Sequence, residues 1–225
     1  MEDEKLYGML DISCVRQIHT EEEIGKMCRI ALENGLAAVF VMPCALPLAV
    51  SLLSGQRTVR PASVVGFPSG AESTSMKISQ ARELYRQGCR EFDMVMNLSW
   101  LREGRYENIR EEIRQVKQAV EPYSLKVIIE ASLLTDQEIL CAGRTVAEAG
   151  ADYVKTGTGW AGRTDCRMVE LLAKSVKDYD HVRIKAAGGI DSRKLMEEMY
   201  ALGCTRFGIG IRTWERIFTQ DAGEG

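Results

Sequence analysis

The sequence predicts an α/β protein of the (β/α)8 TIM-barrel class, and three observations carry that prediction. Four helical patterns stop at glycines 35, 88, 150 and 203, and a β-type run begins within about three residues of each. Eight apolar or β-branched runs alternate strictly with amphipathic helical patterns, which makes neighbouring strands parallel. No Gly-x-Gly-x-x-Gly with a following acid comes after the first run, which counts against a Rossmann sheet. Eight strands in about 215 residues fit a closed barrel better than an open doubly wound sheet. No linker or shift in composition marks a second domain, so 1–225 reads as one barrel.

In order, residues 10–13 form a short strand carrying Asp11. Thr20 and Glu23 make a capping box, and Ile24, Met27, Cys28, Ala31 and Leu32 keep helical spacing up to Gly35. The unbroken apolar run 36–42 is the signature of a strand buried on both faces, and Pro43 ends it. An apolar helix over 45–54 precedes strand three at 63–67. A helix over 73–87 ends at Gly88, and strand four covers 91–97. Ile109, Ile113, Val116 and Val120 line one face of the next helix, and strand five is 125–132.

Thr135 and Glu138 form a second capping box, opening a helix that stops at Gly150. Strand six is 152–156, a helix spans about 166–177, and strand seven is 182–187. Gly188 and Gly189 turn into a helix from Asp191 and Ser192 to Gly203. Strand eight is 206–210, a short turn covers 214–218, and the polar tail over 219–225 is expected to fray.

Composition narrows the function classes. A net charge of −3 with 45% apolar and 27% charged residues is ordinary for a soluble globular protein. It gives no electrostatic reason to expect nucleic acid or an anionic membrane as partner. No apolar run approaches the ~18 residues of a membrane helix, and Met1 to Lys5 lacks the features of a signal peptide. The seven cysteines are scattered, odd in number and without Cys-x-x-Cys, which reads as reduced thiols in a cytoplasmic protein. With His19 and His181 as the two histidines, a histidine metal cluster is not expected.

Active sites of (β/α)8 barrels sit at the C-terminal strand ends. The polar residues there are Asp11, Asp93, Asn97, Glu130, Lys155 and Lys185. A lone lysine at a strand end reads first as structural. Strands six and seven are neighbours about 4.8 Å apart, however, so Lys155 and Lys185 both reach the barrel mouth. Two ammonium groups that close in a low-dielectric pocket repel, and one should lose its proton well below its solution pKa. A deprotonated lysine is a nucleophile that forms Schiff bases with carbonyl compounds, with Asp93 placed to accept or relay protons. The competing reading is an ion-pair layer filling the barrel and holding Asp11, Glu130 and Lys126. It accounts poorly for two lysines each followed by glycines. Gly157, Gly159, Gly188, Gly189, Gly208 and Gly210 open the backbone to a ligand, and loops in this part of a barrel frequently hold phosphate.

The strings VVGFP (64–68), EFDMVMN (91–97), LKVIIE (125–130) with LLTD (133–136), GADYVKT (150–156) and KAAGGI (185–190) resemble the strand motifs of the deoxyribose-phosphate aldolases. The likeness runs in order from about residue 9 to 210. It implies a class I aldolase without metal or cofactor that cleaves 2-deoxyribose 5-phosphate to glyceraldehyde 3-phosphate and acetaldehyde. By position it puts the Schiff-base lysine on Lys155, the second lysine on Lys185, the proton-relay aspartate on Asp93 and a supporting aspartate on Asp11. The implied partner is a small sugar phosphate or aldehyde, and a homo-oligomer is left open.

The chain also departs from the pattern. Gly-Ile-Gly-Ile-Arg212 stands where the family has a serine-bearing phosphate loop, Gly157 replaces a serine and Phe40 a cysteine, and the tail has no tyrosine. The phosphate site is then expected at Gly159, Gly188, Gly189, Gly210 and Arg212. Arg212 is either a bidentate phosphate ligand or a solvated charge on the last helix. Two alternatives stand beside the main reading: a class I aldolase acting on a different, non-phosphorylated or carboxylated aldehyde, and a non-catalytic barrel that binds a sugar phosphate.

Overall fold

The computed structural model describes residues 1–218; the expected frayed tail, 219–225, lies outside the described residues. Eight parallel strands close into a barrel in sequence order: β1 (Leu10–Cys14), β2 (Ala38–Val41), β3 (Arg60–Val65), β4 (Glu91–Val95), β5 (Ser124–Ile128), β6 (Tyr153–Lys155), β7 (Arg183–Ala187) and β8 (Cys204–Gly210), which pairs with β1. Ten helices accompany them among the described residues. They are α1 (Asp3–Tyr7), α2 (Glu21–Asn34), α3 (Leu46–Leu52), α4 (Thr74–Arg86), α5 (Leu98–Arg102), α6 (Tyr106–Val120), α7 (Asp136–Glu148), α8 (Cys166–Val176), α9 (Arg193–Ala201) and α10 (Ile211–Phe218). None is long and apolar enough to cross a membrane.

The local signals act as their chemistry dictates. Both capping boxes form, with Thr20 accepting from the Glu23 amide and Thr135 from that of Glu138. Gly35, Gly88, Gly150 and Gly203 all have positive φ, the left-handed turn that lets a chain leave a helix and enter a strand. Strand bounds differ more. β3 begins at Arg60 and stops at Val65, because Gly66 turns at φ 59°. The predicted strand 125–132 ends at Ile128, since Glu130 adopts φ 49° and a 3-10 turn follows at Ala131–Leu133. The expected turn at 214–218 is part of a longer helix, α10, running straight off β8. Two short helices, α1 and α5, had no periodic pattern long enough to predict them.

Most apolar side chains pack between the barrel wall and the helices. The barrel interior is divided. Ala38, Phe40, Ala62 and Val64, on β2 and β3, form a separate apolar wedge. The remaining strands supply the charges Asp11, Glu91, Asp93, Lys126, Lys155, Lys185 and Arg206.

A second buried pair lies outside the barrel wall. Lys77 on α4 donates to Glu112 on α6 at 3.0 Å and to the Val95 carbonyl at 2.9 Å, and both side chains are fully buried. Burial pushes the Lys77 ammonium down and the Glu112 carboxyl up. Removing one partner leaves the other charge buried alone, so Glu112→Ala is expected to cost about 3–5 kcal/mol in urea unfolding. Lys77→Met/Glu112→Leu should recover most of that loss; a double variant as unstable as the single one contradicts this account.

Candidate active site

At the C-terminal end of the barrel a cavity of about 230 Å³ is lined by Asp11, Phe40, Asp93, Lys155 and Lys185 from the strands. Lys155 and Lys185 are register partners on β6 and β7. Their side chains converge on one atom: Asp93 Oδ2 accepts from Lys155 Nζ and from Lys185 Nζ, both at 2.7 Å. Lys185 Nζ also lies 2.7 Å from Asp11 Oδ2. The four residues singled out in the sequence are thus in direct contact.

The electrostatics follow from burial. Burial is the largest influence on Lys155 and lowers its pKa; Asp93 opposes that, Lys185 adds to it, and the outcome is about 8. Burial alone would raise Asp93, but Lys155, Lys185 and Lys126 together hold its carboxyl far below the usual range. Asp11 is likewise held low, by Arg206 and Lys185 against the effect of burial. Phe40, which stands where the resemblance expects a cysteine, places its ring face 4.0 Å from Lys185 Nζ and 4.9 Å from Lys126 Nζ, a cation–π contact for each.

Beneath these residues the charges continue toward the other end of the barrel. Lys126 donates to Glu91 and lies 3.7 Å from Asp93 Oδ1. Arg206 donates to Asp11 Oδ1 at 2.7 Å and to Glu91 Oε2 at 2.9 Å. Asp11 and Lys126 therefore do belong to an ion-pair layer, and they share it with the lysine pair. Glu130 does not. It accepts from the Thr158 amide at 3.1 Å and from the Thr158 hydroxyl, so it braces the turn after β6. A Cβ at Gly157 would stand 2.9 Å from Glu130 Oε1, a physical reason for glycine there. Asn97 caps α5 through the Trp100 amide and does not line the cavity.

Gly159, Gly188, Gly189 and Gly210 all line the cavity. Gly188 has φ 97° and Gly189 φ 73°, and a Cβ on Gly188 would come within 3.1 Å of the Gly159 backbone, so these turns demand glycine on packing grounds alone. Arg212 is not part of the wall. It is the second residue of α10, its side chain is 76% exposed, and its nearest carboxylate is Glu23 at 3.9 Å. The arginine at the rim is Arg16, which lines the cavity with Thr213 and is held by Glu23.

Trp160 was also not singled out. From the loop after β6 it reaches across the mouth, donating through Nε1 to the Val15 carbonyl at 3.0 Å and meeting Phe67 edge-to-face at 5.8 Å. It tethers the loops after β6, β1 and β3, and no local spacing announces such a contact. Arg206 did leave a signal, since Arg206, Gly208 and Gly210 alternate on one strand face. Among the described residues, no group of three His, Cys, Asp or Glu is placed to hold a metal.

The Glu130 brace is testable. Glu130→Ala leaves the buried Thr158 amide without an acceptor, a loss of about 1–3 kcal/mol. Amide exchange at Thr158 should accelerate far more than exchange in β4. Equal acceleration at both would mean that Glu130 supports the fold as a whole.

The DeoC/LacD family aldolase model matches residues 11–203. A deoxyribose-phosphate aldolase from Sinorhizobium medicae is 43% identical over 208 residues, which cover 92% of this chain and 83% of the relative. A crystal structure from Coccidioides immitis, described as a candidate deoxyribose-phosphate aldolase, superposes with a TM-score of 0.93 at 34% identity, covering 99% of this chain and 87% of that one. The tetrameric deoxyribose-phosphate aldolase of Aeropyrum pernix gives 0.82 at 26% identity, with coverage of 99% and 93%. Both the matched residues and the barrel with its paired lysines lead to one assignment: this chain belongs to the DeoC/LacD family of aldolases.

Proposed function

We propose that this aldolase works through a Schiff base on Lys155 and cleaves 2-deoxyribose 5-phosphate to glyceraldehyde 3-phosphate and acetaldehyde. The observation that carries the reading is Asp93 Oδ2, which holds both lysines at 2.7 Å at the cavity floor while the Lys155 amine titrates near 8. Neutral Lys155 attacks the substrate carbonyl, and the carbinolamine loses water to give an iminium. The iminium is the electron sink. Loss of the proton from the 3-hydroxyl breaks the C2–C3 bond, releases glyceraldehyde 3-phosphate and leaves an enamine. Protonation of the enamine carbon and hydrolysis release acetaldehyde and free Lys155. Lys185, held between Asp93 and Asp11, carries protons to and from the reacting atoms with Asp93 as its counter-ion.

The phosphate would sit at the turn Gly188–Gly189 and the start of α10, where backbone amides and the Thr213 hydroxyl supply donors. Arg16 at the rim supplies the charge, the part the sequence had offered to Arg212. A second reading keeps the chemistry and changes the substrate. Gly208–Gly210 brings Ile209 and no hydroxyl to the phosphate end, and Trp160 gives the mouth an apolar edge, which suits a non-phosphorylated aldehyde. The seven unpaired thiols support a reducing, cytoplasmic setting, and the tetrameric relative supports assembly into an oligomer.

Three measurements test this. Treatment with acetaldehyde and borohydride should leave a mass adduct on Lys155. The adduct should be absent in Lys155→Leu and should form about 100-fold more slowly in Lys185→Leu, the usual worth of a positioned proton carrier. An adduct on another lysine sinks the assignment.

The pH profile has a fixed sign, because the reactive form is the deprotonated amine. With a pKa of about 8, about a tenth of Lys155 is neutral at pH 7 and half at pH 8. Adduct formation should therefore rise with pH through a midpoint near 8 and level off above about 9; a limb centred near the ordinary lysine value contradicts it.

Finally, the 5-phosphate should raise kcat/KM over free deoxyribose by about tenfold or more, and Arg16→Gln should erase much of that gain while Arg212→Gln leaves it. No gain from the phosphate favours the second reading.

A further inference from the structure

The opposite, N-terminal mouth of the barrel also opens into a cavity, of about 290 Å³, and its wall is almost wholly polar. Arg60, Glu91, Ser124, Tyr153 and Arg183 are each the first residue of a strand, so the closure of the barrel gathers them into one ring, joined by Arg206 from β8. Three arginines face one carboxylate. That carboxylate is already engaged: Glu91 accepts from Lys126 and Arg206, and Arg60 stays 3.8 Å away with a side chain 54% exposed.

Arg183 has no carboxylate partner among the described residues. Its guanidinium lies 4.3 Å over the Tyr153 ring, which fixes the plane of its donors without using them. Tyr153 is the second observation. Its ring is buried and its phenol borders the open cavity without a hydrogen-bond partner among the described residues, and so does the hydroxyl of half-buried Ser124, which leaves both free for a ligand. An array of positive forks with hydroxyl donors between them, and no acceptor of its own to spare, is what a small tetrahedral oxyanion requires.

We propose that this mouth binds a phosphate group, either inorganic phosphate or the terminal phosphate of a small phosphomonoester, through Arg60, Arg183, Arg206 and the hydroxyls of Tyr153 and Ser124. The site is separate from the lysine cavity and independent of any substrate assigned there. Open at the barrel's end, it takes a ligand straight from solvent. Arg206 supplies its inner wall while remaining tied to Asp11 and Glu91.

Calorimetric titration of the whole protein with inorganic phosphate at low salt tests the proposal. The Arg60→Gln/Arg183→Gln variant should bind at this site about tenfold more weakly or worse. Its aldehyde–borohydride adduct on Lys155 should form at the wild-type rate. Tyr153→Phe, which removes no charge, should weaken binding about fivefold, the worth of one hydrogen bond. Arg16→Gln, at the other end of the barrel, should keep the site.

Repeating the titration with glycerol 3-phosphate separates the sources: tighter binding than inorganic phosphate assigns a phosphomonoester, weaker binding the free ion. Unchanged affinity and stoichiometry in the double-arginine variant overturn the site. So does phosphate binding that Arg16→Gln abolishes, since it would belong to the lysine cavity. Arginine variants that weaken binding while Tyr153→Phe does not would reduce the site to diffuse attraction, which also overturns it.

Discussion

A single carboxylate oxygen holds two lysines inside this barrel, and the rest of the interior is arranged around what that demands. Asp93, Lys155 and Lys185 are buried, and an unpaired buried charge is too costly to persist. Each is therefore tied to another: Lys185 also to Asp11, Asp11 also to Arg206, Arg206 also to Glu91, and Glu91 also to Lys126. The network holds four basic side chains and three carboxylates. The least costly route to neutrality is for one lysine to give up its proton. Lys155, whose pKa falls to about 8, is the lysine brought closest to doing so. The imbalance that makes the cluster awkward to bury is the same one that makes an amine available for chemistry.

The apolar part of the barrel limits where those charges can lie. The wedge from β2 and β3 offers no hydrogen-bonding side chain, so the polar network runs along the other strands and meets the wedge at Phe40. Its ring face takes Lys185 and Lys126 at cation–π distance, an attraction that Lys155 does not share. A departure from the family pattern, a cysteine position filled by phenylalanine, thus has a use in the electrostatics. Gly208 shows the same economy of space: a Cβ there would press within 2.9 Å of Ala187 and 3.3 Å of Lys185.

Above the lysines, the loops close the site by contacts between residues far apart in sequence. Glu130 braces Thr158, Trp160 reaches Val15 and Phe67, and Arg163 donates to the Gly189 carbonyl at 2.8 Å. Each ties one loop to another, so the glycine turns are held as a set. The exclusion of Arg212 has the same origin. Because α10 starts directly from β8, its second residue falls on the solvent side, and Arg16, from the loop after β1, takes the rim.

The sequence by itself determined the barrel, the order of its elements and the placement of Asp11, Asp93, Lys155 and Lys185 at the C-terminal strand ends. Those features rest on local signals: helix-stopping glycines, capping boxes, buried apolar runs, and polar residues placed at strand ends by a period of two. Strand adjacency then follows from β-then-α alternation, which is why Lys155 and Lys185 could be paired before any coordinates. Only the tertiary structure decided the rest. Whether Glu130 joins the ion layer or braces a loop depends on a left-handed backbone turn. Whether Arg212 or Arg16 faces the cavity depends on where a helix begins relative to a strand. Trp160 and the arginine ring at the far mouth depend on which loops and strand starts the closed barrel brings together. Those are distances between segments far apart in the chain, and no periodicity within a segment encodes them.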